Sequence, residues 1–214
     1  MSTEDKGIPG FFQKAVSLGG LAVSAPLLGA AAVAIKATSN GPALFRQERM
    51  GKDGEVFTLY KFRTMAQSNS GPGVTVDGDS RITRIGRILR KTKLDELPEL
   101  WNVVKGDMAL VGPRPEVPQY VDLNDPLWRE ALAVRPGITH PITLALRNEE
   151  DLLSECEGNP VEFYQEKLLP YKLRGYIDYA SDQSWHTDLL VLAKTILVVL
   201  VPQMAKSPAS EDLE

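Results

Sequence analysis

Two adjacent carboxylates, Asp95 and Glu96, stand inside the run Lys93-Leu94-Asp95-Glu96-Leu97-Pro98-Glu99-Leu100. Just before them, residues 81–93 hold Arg81, Arg84, Arg87, Arg90, Lys91 and Lys93 and no acid. Soon after comes Gly112-Pro113-Arg114-Pro115, where two prolines fix the backbone on both sides of one guanidinium. A pre-oriented arginine suits two-pronged capture of a phosphate. Acid beside base beside rigid turn points to chemistry on a phosphorylated substrate.

The elements that must position these groups are legible from spacing. Leu94, Leu97, Leu100, Trp101 and Val104 recur at helical spacing, and Gly106 follows as a stop. Proline is tolerated only in a first turn, so Pro98 predicts a helix that begins near Asp95. Both carboxylates then lie at its positive end, where anions are favoured. Asp95 as a plain N-cap explains that residue alone and leaves Glu96 and the basic stretch without a role. Arg81 to Lys91 reads as an amphipathic helix, with Ile82, Ile85 and Leu89 on one face and Arg84, Arg87 and Lys91 on the other. A solvated face is the plain alternative, but unrelieved like charges repel unless an anion is near.

Upstream, residues 43–65 predict a β-hairpin with its turn at Gly51-Lys52-Asp53-Gly54. Alternation puts Lys61 and Arg63 on one face of the second arm. Residues 66–80 read as a loop long enough to act as a flap. Met108-Ala109-Leu110-Val111 reads as a short strand, and residues 161–180 as an aromatic-rich helical packing segment. Among the two histidines, His140 is the tempting acid–base group, although a lone histidine beside a proline is more often structural.

The chain has 214 residues, 43% of them hydrophobic and 24% charged, which fits one folded domain plus a short element and not a disordered chain. A net charge of −4 argues against a nucleic-acid partner. One cysteine, Cys156, excludes an internal disulfide and fits a reducing compartment.

From Ala15 to Ile35 no residue is charged, and Lys14 and Lys36 bracket the run. That length is enough for a membrane span. A secretory signal is the rival, but residues 1–14 carry no net charge and the run is long for a signal core. Pro26, with Gly19, Gly20 and Gly29, allows a third reading, a helix that breaks and turns back. Composition leaves the kinked span and the re-entrant hairpin open. A second apolar stretch, Leu189 to Val201, suits a helix lying along an interface.

Three stretches carry a resemblance: GPALFRQERMGKDGEVFTLYKFRTM at 41–65, SRITRIGRILRKTKLDELPELWNVVKGDMALVGPRP at 80–115, and VRPGIT at 134–139. Together, in order and spacing, they resemble the bacterial sugar transferases, monotopic phosphoglycosyl transferases that start lipid-linked glycan assembly. The resemblance implies a UDP-sugar donor, a polyprenyl phosphate acceptor such as undecaprenyl phosphate, Mg²⁺ as cofactor, and UMP as product. It implies Asp95 as a nucleophile forming a covalent phosphosugar, with Glu96 helping to hold Mg²⁺ or assisting the nucleophile. Asp95 and Glu96 are thus the implied catalytic and metal residues, and Lys61, Arg63, Arg81, Arg90, Arg114 and Arg147 the implied phosphate contacts.

The resemblance also implies an α+β, helix-dominated fold with interfacial helices and a small β-hairpin, on the cytoplasmic face of the bacterial inner membrane. The expected division is a tail at 1–10, a re-entrant membrane helix at 11–38 broken near Ser24 and Pro26, a catalytic domain at 39–204, and an acidic disordered tail at 205–214. Two departures stand out. The break reads Ser24-Ala25-Pro26 instead of Ser-Pro, and residues 140–160 leave the family pattern, which suggests a different donor preference. A non-catalytic relative and an anchor whose basic helix binds anionic lipid are the alternatives; the intact Asp95, Glu96 and Arg114 speak against the first, and lipid binding without UMP release would favour the second.

Overall fold

The computed structural model describes residues 6–66, 79–156 and 158–201. Residues 1–5 of the expected tail, most of the expected flap and the acidic tail lie outside the described residues. The first element, α1 (Gly10–Thr38), is one continuous helix. The helical path runs on through the expected break at Ser24 and Pro26, with Pro26 inside the helix. Proline removes one backbone bond, and the cost is met by packing that runs past it on both sides. Gln13, Ser17, Ala31 and Ile35 are buried and Gly20, Ser24 and Leu28 half-buried, a spacing of three and four that defines one docked face. The Ser24 hydroxyl donates to the Gly20 carbonyl at 2.7 Å, a local bond typical of an apolar helix. On the other face Phe11, Val23 and Val33 are 78%, 84% and 69% exposed.

Both ends of α1 are fastened to the same body. Ile8 N–H donates to Asp188 Oδ2 at 2.9 Å, and Gln13 Oε1 accepts from Leu110 N–H at 2.7 Å. At the far end Arg63 Nη2 donates to the Ser39 carbonyl and hydroxyl at 3.1 and 2.9 Å.

The predicted hairpin forms from β1 (Leu44–Met50) and β2 (Val56–Phe62), antiparallel with Phe45 opposite Lys61. Its turn is a short 3-10 segment in which Asp53 takes a positive φ of 55°. The buried Asn102 fixes β2 in place: its amide donates to Thr58 O at 2.7 Å and its carbonyl accepts from Tyr60 N–H at 3.1 Å. The basic helix is α2 (Arg84–Lys91), three residues shorter than predicted at its start because Thr83 caps it, accepting from Gly86 N–H at 2.9 Å.

The carboxylate segment differs from expectation. Leu94–Glu99 is a 3-10 turn, entered from a left-handed Lys93 (φ 57°), and the α-helix α3 (Leu100–Lys105) starts only afterwards. Pro98 has no N–H to give an α-helical bond, so the chain winds more tightly there. Asp95 and Glu96 therefore precede an α-helix instead of opening one.

After α3 comes β3 (Ala109–Val111), then α4 (Pro126–Ala131), then β4 (Gly137–Thr139), which pairs parallel with β3. The two chains cross so closely that a Cβ on Gly137 would meet Gly112 N at 2.1 Å. The remaining helices are α5 (Pro141–Ala145), α6 (Glu149–Glu155), α7 (Pro160–Phe163), α8 (Leu169–Asp182) and α9 (Trp185–Leu200), with a single π turn at Tyr164–Leu168. The predicted packing segment holds: Tyr164 and Tyr176 are buried in a cluster with Trp128, Leu168 and Leu173. A second cluster joins Leu59, Val103, Met108 and Val191, and a third joins Ile35, Phe62 and Leu89. Leu94 packs on the third and Leu100 on the second, so the carboxylate turn is pinned at both ends. The fold is helix-rich with two small sheets, as the α+β expectation has it. Like α1, α9 leaves an apolar face uncovered, with Leu190 and Ile196 62% and 63% exposed.

Candidate active site

The 3-10 turn places Asp95 inward. It is 6% exposed, and its Oδ1 is buried without a hydrogen-bond partner. Burial, and then the charge on Glu96, raises this carboxyl above its ordinary range, while Lys93, Lys61 and Arg90 pull the other way. Glu96 next to it is paired through one oxygen: Oε1 accepts from Arg114 Nη2 at 2.7 Å and lies 3.9 Å from Lys93 Nζ. Burial works against its charge, but Arg114, Lys93 and Lys61 overcome it and hold the carboxyl well below the ordinary range. Two neighbouring carboxylates are thus set apart, one firmly ionised in an ion pair and one desolvated with a lone oxygen to offer.

A third acid completes the cluster. Glu99 is 1% exposed, and its Oε1 is also buried without a partner. Burial and the charge on Glu96 push it up to about 8. Around the acids stand cations. Lys61 is lowered by burial and then by Arg49 and Arg114, its amine 5.5 Å from the centre of the Phe45 ring. Arg90, at the end of α2, reaches Glu150 Oε1 with Nη2 at 2.7 Å and buries Nη1 without a partner. The lone oxygens of Asp95 and Glu99 and the lone Nη1 of Arg90 are groups that a ligand with phosphate oxygens and an electrophile could satisfy.

The family model for bacterial sugar transferases matches residues 6–202. The chain belongs to this family. Among relatives, the UDP-N-acetylgalactosamine-undecaprenyl-phosphate N-acetylgalactosaminephosphotransferase of Aeromonas hydrophila is 48% identical over 119 residues, covering 53% of this chain and 28% of its own. The UDP-glucose:undecaprenyl-phosphate glucose-1-phosphate transferase of Caulobacter vibrioides is 39% identical over 189 residues, 86% of this chain and 66% of its own. The undecaprenyl-phosphate galactose phosphotransferase of Salmonella typhimurium is 34% identical over 183 residues, 75% of this chain and 34% of its own. The chain thus spans less than two thirds of the length of each of these relatives.

Of the residues that the sugar transferase resemblance marks, Asp95, Glu96, Lys61, Arg90 and Arg114 come together. Three arginines have protein partners, although Arg63 keeps Nε and Nη1 buried without any. Arg63, predicted on the Lys61 face, fastens the end of α1 through Ser39. Arg81 forms a two-pronged pair with Asp79, Nε to Oδ1 at 2.9 Å and Nη2 to Oδ2 at 2.5 Å. Arg147 donates to the Val198 carbonyl in the last turn of α9, where a cation meets the negative helix end. Arg81 and Arg147 thus have protein partners, Arg81 through both prongs and Arg147 through Nη1. His140 is no acid–base group. It is fully buried, caps α5 by accepting Ile142 N–H on Nδ1 at 3.2 Å, and meets Tyr176 and Tyr179 edge-on. Burial pushes it down to about 3, so it stays neutral.

Sequence reading missed Glu99, Arg49 and Lys93 as members of this site. Glu99 lies four residues after Asp95, a spacing that brings it to the same side of a helical path, and that signal was available. Its burial was not. A carboxyl raised in the folded state stabilises while protonated, and the contribution is lost as pH rises through the folded value. The wild type is therefore expected to lose stability against Glu99→Gln as pH rises from about 4 towards 8 and just beyond. Melting temperatures of the pair across that range check this; parallel curves refute it.

Proposed function

We propose that this chain moves a sugar 1-phosphate from a UDP-sugar to undecaprenyl or another polyprenyl phosphate, releasing UMP. The observation that carries the reading is the buried, unpartnered Asp95 Oδ1 beside the Glu96–Arg114 pair, in a chain of a family whose relatives are named for such transfers. In the first step an Asp95 oxygen attacks the sugar-linked phosphorus. The bond to the bridging oxygen breaks, and UMP leaves with that electron pair. In the second step an oxygen of the polyprenyl phosphate attacks the same phosphorus, and the aspartyl bond breaks to return the carboxylate. Splitting the transfer lets a water-soluble donor and a lipid acceptor use one site in turn.

The protein's own part is charge and position. A desolvated carboxylate is a better nucleophile than a hydrated one, and Asp95 is kept from water. Arg114, Arg90, Lys61 and Lys93 supply positive charge to the diphosphate. Arg114 is aimed by its two prolines and by Glu96. The residues fit Mg²⁺ as well, since that ion is typically held by one or two carboxylates plus substrate phosphates, and Glu96 with the free oxygen of Asp95 offers that set. Bound there, it would neutralise phosphate charge and stabilise the leaving oxygen.

The membrane reading rests on α1. Its uncovered apolar face has no partner among the described residues, and both its ends are tied to the catalytic body. A helix of this length crossing at right angles would set its ends roughly 40 Å apart on opposite sides. Fastening both ends to one body favours a helix held with that body along one, cytoplasmic, face of the bacterial inner membrane instead of one crossing it at right angles.

The test is UMP release from a panel of UDP-sugars with undecaprenyl phosphate and Mg²⁺. One donor is expected to give release that depends on acceptor over many turnovers. Three relatives' names carry three different sugars, so the panel should hold glucose, galactose and N-acetylgalactosamine donors. A panel with no release in a folded, membrane-bound preparation overturns the reading.

A further inference from the structure

Helix α6 connects the aromatic core to the site. Glu149, its first residue, takes the Lys172 amine on both carboxylate oxygens, at 3.0 and 2.8 Å. Lys172 is 4% exposed, donates to the Tyr164 hydroxyl at 3.3 Å, and sits 4.7 Å from the centre of that ring. Burial works against its charge, but Glu149 and the tyrosines keep it protonated. That anchor fixes the start of α6. The next residue, Glu150, then presents its carboxylate to Arg90 Nη2 at 2.7 Å. Arg90 Nη1 is buried with no partner, and its charge acts on Asp95.

We infer that Glu150 is a positioning residue: by gripping one nitrogen of Arg90, it aims the other at the donor's phosphate. The inference rests on the proposed transfer reaction. A guanidinium is a rigid fork, so fixing one prong fixes the other. The pair itself contributes little to folding, because the Glu150 side chain is 40% exposed and such pairs are weak in water. Its worth lies in orientation.

Glu150→Gln keeps the shape and removes the charge. It is expected to raise the donor KM about five- to tenfold with kcat changed less than about twofold, as for a lost binding contact. Melting temperature should not move, and Glu150→Asp should restore part of the KM. The decisive readout is the cycle with Arg90→Lys, since a lysine has no second prong to aim. In that background Glu150→Gln should have no further effect. An unchanged KM, a lowered KM (Glu150 then competes with phosphate for Arg90), or the same factor in both backgrounds each overturns the inference. Wild type that neither releases UMP nor binds UDP by calorimetry removes the reaction itself, and the inference with it. An active wild type with an indifferent Glu150→Gln removes only the inference.

Discussion

Asp95→Asn is expected to cut UMP release by about 10³-fold or more while leaving the protein as stable as the wild type or more so. The two halves have one cause. Asp95 is buried with one oxygen unpartnered, and burial and then Glu96 raise its carboxyl. A carboxyl raised in the folded state stabilises in its protonated form, and that contribution is lost as pH rises through the folded value. At neutral pH the raised Asp95 carboxyl is therefore a net cost to folding. Asparagine keeps the shape and removes the charge, so the gap in melting temperature should favour the variant at neutral pH. It should close below about pH 4, where the wild-type carboxyl is protonated in both states. Reactivity and strain here are one property, the usual relation between an active site and stability. Near-normal turnover in Asp95→Asn sinks the nucleophile assignment. Lost turnover with a lower melting temperature at neutral pH instead says that Asp95 holds the fold.

Much of this was legible in the sequence, and what was not shares a physical reason. The β1–β2 hairpin, α2, α8 and α9 follow from period and punctuation, which are local properties. The β3–β4 pair was half missed because Gly137–Thr139 is three residues long and is a strand only by lying beside Ala109–Val111. The 3-10 turn at Leu94–Glu99 was misread as α-helix because the two share a hydrophobic spacing over six residues. Pro26 allowed a break on its lost hydrogen bond, yet the helical path continues through it.

Side-chain partners are the least local property of all. Arg114, marked by its two prolines, meets Glu96, 18 residues away, whereas Arg147, marked by the resemblance alone, meets the Val198 carbonyl, 51 residues away. Glu99 was within reach of spacing, but the burial of its lone Oε1 was not.

Arg114→Ala is expected to cost about 2 kcal/mol of stability and about 10²- to 10³-fold in turnover. The stability figure is set below that for a fully buried pair because the Glu96 and Arg114 side chains are 16% and 32% exposed. Its pH dependence separates the ion pair from lost packing. In the wild type Glu96 is held below its ordinary range, so its contribution is present above about pH 4 and is lost as pH falls through the folded value. Removing Arg114 leaves Glu96 with burial, which raises it, and with Lys93 at 3.9 Å. The variant should therefore lose its relative stability towards neutral pH and regain ground on the wild type in acid. Arg114→Lys keeps the charge without the fork, so it should recover more of the stability than of the turnover. Melting curves from about pH 3 to pH 8 for the three proteins decide it. If wild type and Arg114→Ala differ by a constant amount throughout, Glu96 does not depend on Arg114, and the pairing that separates the two carboxylates falls with it.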